Sequence, residues 1–319
     1  VSVRVLMGQI SGYAMRGRYL KQGRWFWVAD LAVDLAGIKM KNPVMSASGT
    51  FGSGVEYAGV FDVGMMGALV TTGLTLESKA GNRPPRLCET PAGLLNAVGL
   101  QNPGVDAFIR DILPGMLDFG VPVIANIAGS TKDEFVEIAE KFTGTGVAGL
   151  EINISCPNVK TGGMALGTIP EVAAQVVEAV IDSTDLPVIV KLTPNVTNIV
   201  ELARAVADAG ADALSLINTL LGMVIDVEQR KPVLGNIMGG LSGPAIRPIA
   251  VRAVWQVAQA IRIPIIGMGG ICTGRDALEF MMAGASAVAV GSAFFHDPLS
   301  AVRIITELDE YCGEHGVDR

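Results

Sequence analysis

The chain has 319 residues, half of them hydrophobic, with 17% charged residues and a formal net charge of −7. This composition excludes a disordered chain, a coiled coil and a disulfide-stapled miniprotein, and the acidic balance with few aromatic residues argues against nucleic acid as a partner. The longest stretch without a formal charge, 280–296, is interrupted by Gly284, Ser286, Gly291 and Ser292 and is too short for a membrane span.

Residues 1–29 stand apart. They carry Arg4, Arg16, Arg18, Lys21 and Arg24 with no acidic residue, and they end near the aromatic cluster Trp25-Phe26-Trp27. They are expected to form a basic, poorly ordered extension, with a membrane-surface or partner-binding arm as the sharper reading. Residues 30–319 follow one repeating grammar, a short apolar run ending in small or polar residues and then a helix-like amphipathic stretch. Eight such runs are predicted strands: 43–47, 68–72, 121–127, 149–154, 187–192, 213–217, 264–267 and 287–290. Continuous apolar runs of this kind are the mark of buried parallel strands. Helices are predicted over 133–141, 170–182, 198–209, 245–261 and 275–283, where apolar residues recur at helical spacing. Pro-Val-Ile opens two of the runs and Pro-Ile-Ile a third, at Pro122, Pro187 and Pro264, as expected of one repeated unit. Eight strand-helix units without a break predict a single-domain (β/α)₈ TIM barrel.

In such a barrel the chemistry collects where the strands end, at their C-terminal edge. Gly269-Gly270 after the seventh run and Gly291-Ser292 after the eighth would bring bare backbone N–H groups together, which is the make-up of a phosphate cradle. Glycine-rich nucleotide motifs of the Rossmann and P-loop kinds are absent, so direct NAD or ATP binding is not indicated. Lys191 ends an apolar run, which suits a fixed cation beside a cofactor that becomes anionic on reduction. Asn96, Asn126, Asn153, Asn158, Asn218 and Thr219 supply neutral amides and a hydroxyl suited to a planar, amide-rich ring. Cys156, between Ser155 and Pro157 and ahead of a glycine-rich stretch at 160–163 that suits a lid, is a candidate thiol base toward a carbon acid. The four cysteines lie far apart with no C-x-x-C pair, which argues against a zinc site or a disulfide framework and places the chain in a reducing cytoplasm.

Three long motifs then carry a resemblance: Asn96-Ala97-Val98-Gly99-Leu100-Gln101-Asn102-Pro103-Gly104, Asn153-Ile154-Ser155-Cys156-Pro157-Asn158-Val159-Lys160-Thr161-Gly162-Gly163, and Gly239-Gly240-Leu241-Ser242-Gly243-Pro244-Ala245. From about Asp34 onward the chain resembles the class 1 dihydroorotate dehydrogenases, most closely the catalytic subunit of the NAD-linked type 1B enzymes. The resemblance implies an FMN-containing barrel that oxidises (S)-dihydroorotate to orotate in pyrimidine synthesis, with Cys156 taking the C5 proton while the C6 hydride passes to the flavin. It implies FMN contacts at Ser48, Asn126, Asn153, Lys191, Ile217, Gly243, Gly269, Gly270, Gly291 and Ser292. Substrate contacts are implied at Asn96, Ala97, Val98, Gly99, Leu100, Asn153, Asn218 and Thr219. It also implies a separate electron-transfer subunit carrying FAD and a [2Fe-2S] cluster, in a heterotetramer of two catalytic and two electron-transfer chains, since this chain has no cysteine cluster for such a centre. One position departs from the family's pattern: Thr72 stands where the family normally has a lysine that contacts flavin and substrate. The competing readings are a fumarate-dependent type 1A enzyme, a flavoenzyme acting on another dihydropyrimidine, and a non-catalytic FMN-binding paralogue.

Overall fold

The structure, a computed structural model, describes residues 29–154 and 167–317 and, before them, the backbone of two paired strands, Arg18–Lys21 and Arg24–Trp27. Eight parallel strands form the central sheet: β1 (Val44–Ser46), β2 (Leu69–Val70), β3 (Val123–Ile127), β4 (Gly149–Asn153), β5 (Val188–Lys191), β6 (Ala213–Leu216), β7 (Ile265–Met268) and β8 (Ala287–Val290). Their order around the sheet is sequential, with β8 beside β1. The last seam closes where Met45 bridges Ala68, the Ser46 N–H donates to the Ala68 carbonyl at 3.3 Å, and the Val70 N–H donates to Ser46 Oγ at 3.0 Å. All eight predicted strands are present, and the fold is the expected (β/α)₈ barrel.

Alternation along each strand divides the core in two. Val44, Leu69, Val123, Leu150, Val188, Leu214, Ile265 and Val288 face outward into a large annulus under the helices. Met45, Val70, Ile124, Ile189, Ala213, Ile266 and Ala287 face inward and fill the barrel. The hairpin Val33–Leu35/Ile38–Met40 plugs the N-terminal end with Leu35, Ile38 and Met40, which join the inner cluster. Burying a side chain of this size stabilises by roughly 1.5–3 kcal/mol, so the two layers carry most of the fold.

Apart from the short helical turn Ala293–His296, the described α-helices are α1 (Val105–Asp111), α2 (Leu113–Leu117), α3 (Lys132–Lys141), α4 (Pro170–Ile181), α5 (Ile199–Asp208), α6 (Arg247–Ala258), α7 (Gly274–Met282) and α8 (Ser300–His315). The five predicted helices are recovered as α3 to α7, with 244–246 a short 3₁₀ turn ahead of α6. Thr131, Asn198 and Thr273 cap α3, α5 and α7 with side-chain oxygens that accept from first-turn N–H groups. The sequence reading did not anticipate a four-stranded antiparallel sheet at the mouth. Its order is Leu220–Met223, Met238–Ser242, Gly93–Asn96, Leu87–Thr90, so the insertion after β2 pairs with the insertion after β6. No described helix is long and apolar enough to cross a membrane.

Candidate active site at the barrel mouth

Strand alternation puts a polar layer one step above the apolar filling. Asn126 lies two residues beyond Ile124, Glu151 two beyond Gly149, Lys191 two beyond Ile189 and Ser215 two beyond Ala213, so all four face inward. Register pairs them two by two: Glu151 stands opposite Asn126, and Lys191 opposite Ser215. All are buried, at 0% exposure for Asn126 and Ser215, 2% for Glu151 and 4% for Lys191. Ser215 Oγ donates to Glu151 Oε1 at 2.6 Å, Asn126 Nδ2 donates to Glu151 Oε2, and Lys191 Nζ lies 3.6 Å from the same oxygen. An ammonium and a carboxylate buried together need each other, because either alone would carry a desolvation cost of several kcal/mol. Among the described residues Asn126 Oδ1 has no donor, although the Asn126 N–H is satisfied by Thr71 Oγ1 at 2.9 Å. This orphan acceptor points to a ligand N–H, since a buried acceptor is rarely unpaired. Asn153 ends β4 half-buried, in register with Lys191.

The glycines build the second part. Gly269 and Gly270 both have positive φ, +125° and +76°, as does Gly243 at +95°. A Cβ on Gly270 would lie 2.7 Å from the Gly243 carbonyl oxygen and 3.1 Å from the Arg247 backbone nitrogen, so this part of the cradle admits no side chain. Ile217 is buried against Gly269, and its N–H donates to the Met268 carbonyl at 3.0 Å. Gly291 and Ser292, half-buried after β8, lie by the turn after β1: among the described residues a Cβ on Gly291 would meet Ala47 at 3.6 Å and Thr50 at 3.9 Å. Half-buried Ser48 lies in that turn, next to Gly49 with φ +79°. Asp276 braces the loop after β7 by accepting from the N–H groups of Cys272 and Thr273, both at 2.9 Å, and by pairing with Arg247.

The third part is the mouth sheet. Asn96 ends the strand Gly93–Asn96, and its Nδ2 donates to the Gly240 carbonyl at 3.2 Å. Gly240 leaves no room for a side chain because Thr219 sits against it. Asn218 Oδ1 accepts from the Thr219 N–H at 2.8 Å, and Asn195 Nδ2 donates to the Thr219 carbonyl at 3.0 Å. Ala97, Val98 and Gly99 run past Asn82 and Arg86. Asn82 Nδ2 donates to the Ala97 carbonyl at 3.0 Å, the Asn82 N–H to the Val98 carbonyl at 2.9 Å, and the Ala97 N–H to the Arg86 carbonyl at 2.8 Å. Arg86 in turn spans the loop, donating to the Asn82 carbonyl, to Gln101 Oε1 at 2.6 Å and to the Ala80 carbonyl at 2.8 Å. Leu100 has φ +54°, a left-handed conformation that costs a non-glycine residue roughly 1–3 kcal/mol. Asn102 holds it there: Nδ2 donates to the Leu100 carbonyl at 2.8 Å and to Thr75 Oγ1 at 2.9 Å, while Oδ1 accepts from Thr75 and Gly104. A Cβ on Gly73 would meet Leu100 Cδ2 at 2.8 Å and Asn126 Oδ1 at 3.1 Å, so the motif loop, the end of β2 and the polar layer meet there. Thr72, half-buried, directly precedes it.

The predicted site residues thus gather in three neighbouring groups at one end of the barrel: Asn126, Asn153 and Lys191 on β3 to β5; Ser48, Ile217, Gly243, Gly269, Gly270, Gly291 and Ser292 around the cradle; Asn96 to Leu100, Asn218 and Thr219 at the mouth sheet. Cys156, Asn158 and the lid stretch 160–163 lie outside the described residues. Sequence reasoning missed Glu151, Ser215, Arg86 and Asn102. The signal for the first two was a carboxylate and a hydroxyl at inward positions of otherwise apolar runs.

The dihydroorotate dehydrogenase family profile matches residues 30–312. A relative from Desulforudis audaxviator is 60% identical over 287 residues, covering 90% of this chain and 94% of its own length. Another from Geobacter sp. (strain M21) is 57% identical over 290 residues, 91% of this chain and 95% of its own. A third, from Anoxybacillus flavithermus, is 55% identical over 289 residues, 90% of this chain and 93% of its own. Each is named dihydroorotate dehydrogenase B (NAD(+)), catalytic subunit.

Proposed function

This chain belongs to the dihydroorotate dehydrogenase family, and from that membership we propose that it is the catalytic chain of an NAD-linked enzyme oxidising (S)-dihydroorotate to orotate in pyrimidine synthesis. The observation that carries the reading is the inward polar layer, an orphan Asn126 acceptor beside the buried Lys191–Glu151 pair, set next to a glycine cradle closed to side chains at Gly270. Those groups fit FMN. The cradle of Gly243, Gly269, Gly270, Gly291 and Ser292 would take the phosphate through backbone N–H groups, and Ser48, Asn126, Asn153, Lys191 and Ile217 would surround the ring. FMN supplies the two-electron acceptor for the C6 hydride.

The chain's own residues do the rest. Asn96 through Leu100, Asn153, Asn218 and Thr219 bind and orient the substrate ring, their amides and hydroxyl matching its amide edges. Cys156 Sγ, as thiolate, takes the proton from C5, so that loss of this proton and of the C6 hydride leaves the C5=C6 double bond of orotate. The backbone frame around Leu100, tied by Arg86 and Asn102, holds the substrate side in place. A partner subunit, in a two-plus-two heterotetramer in the cytoplasm, would hold the FAD and [2Fe-2S] that supply the route to NAD. Residues 1–29 are a basic extension to the 30–319 catalytic barrel.

Two measurements test this. Dihydroorotate bleaches the bound flavin anaerobically one-to-one and dihydrouracil does not; the reverse preference would assign another dihydropyrimidine, the outcome Thr72 makes worth checking. Purified with and without the electron-transfer subunit, the chain reduces NAD only in the complex; fumarate turnover by the lone chain overturns the NAD-linked assignment.

A further inference from the structure

Glu151 has no part in the chemistry described so far, yet it is the hub of the polar layer. It is 2% exposed, between Gly149 and Asn153 on the inner face of its strand, and it gathers Ser215 Oγ, Asn126 Nδ2 and Lys191 Nζ onto one carboxylate. A carboxylate accepts and cannot donate. The Asn126 carboxamide is therefore obliged to turn its NH₂ inward, which is why Oδ1 stands unpaired toward Gly73 and the mouth. Any residue able to donate at 151 would permit the opposite amide orientation.

The charge matters as much as the hydrogen bonds. Lys191 alone would leave a buried positive charge at a mouth that would hold the flavin, favouring the electron-rich reduced flavin over the neutral oxidised one. Glu151, 3.6 Å from the ammonium, offsets that charge. We propose that Glu151 is a positioning residue that turns the Asn126 carboxamide acceptor-outward, holds the Lys191 ammonium, and lowers the reduction potential of the flavin bound above them, so that electrons taken from substrate are passed on. The proposal rests on the reading that FMN occupies this mouth.

The test is Glu151→Gln in the FMN-loaded chain, titrated anaerobically with dithionite against a reference dye. At a fixed potential the ratio of reduced to oxidised flavin should rise about tenfold, an upward shift of about 30 mV for a two-electron couple. A potential unchanged or lower overturns the proposal. Ser215→Ala removes a neutral donor to the same carboxylate and leaves its charge. Its potential should stay at the wild-type value, and a shift matching that of Glu151→Gln would show that packing, not charge, sets the potential. If Glu151→Gln does not fold, Glu151→Gln/Lys191→Met, which removes both charges, should fold, and failure of this double variant too overturns the pairing. An error in the substrate assignment appears separately, as no bleaching by dihydroorotate, and leaves the dithionite titration readable.

Discussion

Gly291→Ala separates ligand binding from folding more cleanly than any other change at the cradle. The added methyl would meet Ala47 Cβ at 3.6 Å and Thr50 Cγ2 at 3.9 Å, ordinary contact distances, and Gly291 is not among the positive-φ glycines. The folded chain therefore tolerates the methyl, and loss of glycine freedom in the unfolded state should raise stability by about 0.4–1 kcal/mol. The methyl does, however, enter the gap between the turns after β1 and β8, where the phosphate would sit. Losing one charge-assisted hydrogen bond there costs about 1.5–3 kcal/mol, or about 10- to 150-fold in Kd. Urea denaturation of the flavin-free chain and fluorescence titration with FMN measure the two effects independently. Gly270→Ala is the contrasting case. Its φ of +76° and a Cβ 2.7 Å from the Gly243 carbonyl oxygen should cost the fold itself about 1–3 kcal/mol as well as the flavin. A Gly291→Ala chain that binds FMN with the wild-type Kd refutes the placement of the phosphate at this cradle.

Thr72→Lys should lower KM for dihydroorotate, by an amount equivalent to about 1.5–3 kcal/mol if the ammonium reaches the substrate carboxylate, and an unchanged KM would mean that the charge is already replaced by another group. Cys156→Ala should retain FMN at full stoichiometry while its reduction by dihydroorotate slows about 10²- to 10⁴-fold, and rapid-mixing absorbance would expose an unaffected rate. Asp309, which accepts from the Ala29 N–H at 3.2 Å, has its carboxyl held above the ordinary carboxylate range, chiefly by burial, with Glu310 adding to the rise and the Ala29 hydrogen bond opposing it. The folded chain then binds this proton more tightly than the unfolded chain, so the contribution is full below the unfolded pKa and is lost as pH rises through the folded one. Asp309→Asn should accordingly be more stable than wild type at neutral pH and lose that advantage in acid; urea midpoints across pH that run parallel for the two chains would contradict it.

The barrel was legible because each of its strands is a local signal. A run such as Val188-Ile189-Val190 is buried on both faces and needs no knowledge of its neighbours to be read as a parallel strand. The mouth sheet was not legible for the opposite reason. Gly93–Asn96 and Met238–Ser242 pair across a long sequence separation, and both are glycine-containing stretches whose alternation is too weak to announce a strand. Glu151 was hidden by the very regularity that revealed β4: Leu150 and Ile152 on the outer face made the run read as uniformly buried. Asn102, inside a motif read for substrate contact, proved to spend its polar atoms on Thr75, Leu100 and Gly104 instead.

These differences divide the site into two halves built by different means. The cradle and the polar layer are products of barrel closure, since Gly291 faces the turn after β1 only because β8 and β1 are neighbours, and Glu151 meets Lys191 only because β4 and β5 are. The substrate side is assembled by two insertions that meet outside the barrel and share a small separate core of Leu95, Ala97 and Leu234. A hydrogen bond from Asn96 to Gly240 and the contact of Thr219 with Gly240 join the insertions at that edge. A rigid cofactor floor under an independently packed substrate roof allows the roof to change while the floor is kept. Thr72 lies between Thr71, whose hydroxyl supports Asn126 in the floor, and Gly73, packed under Leu100 of the roof. A substitution there can alter substrate recognition while leaving the flavin-binding layer intact, which is why the charge at this one position bears so directly on the substrate.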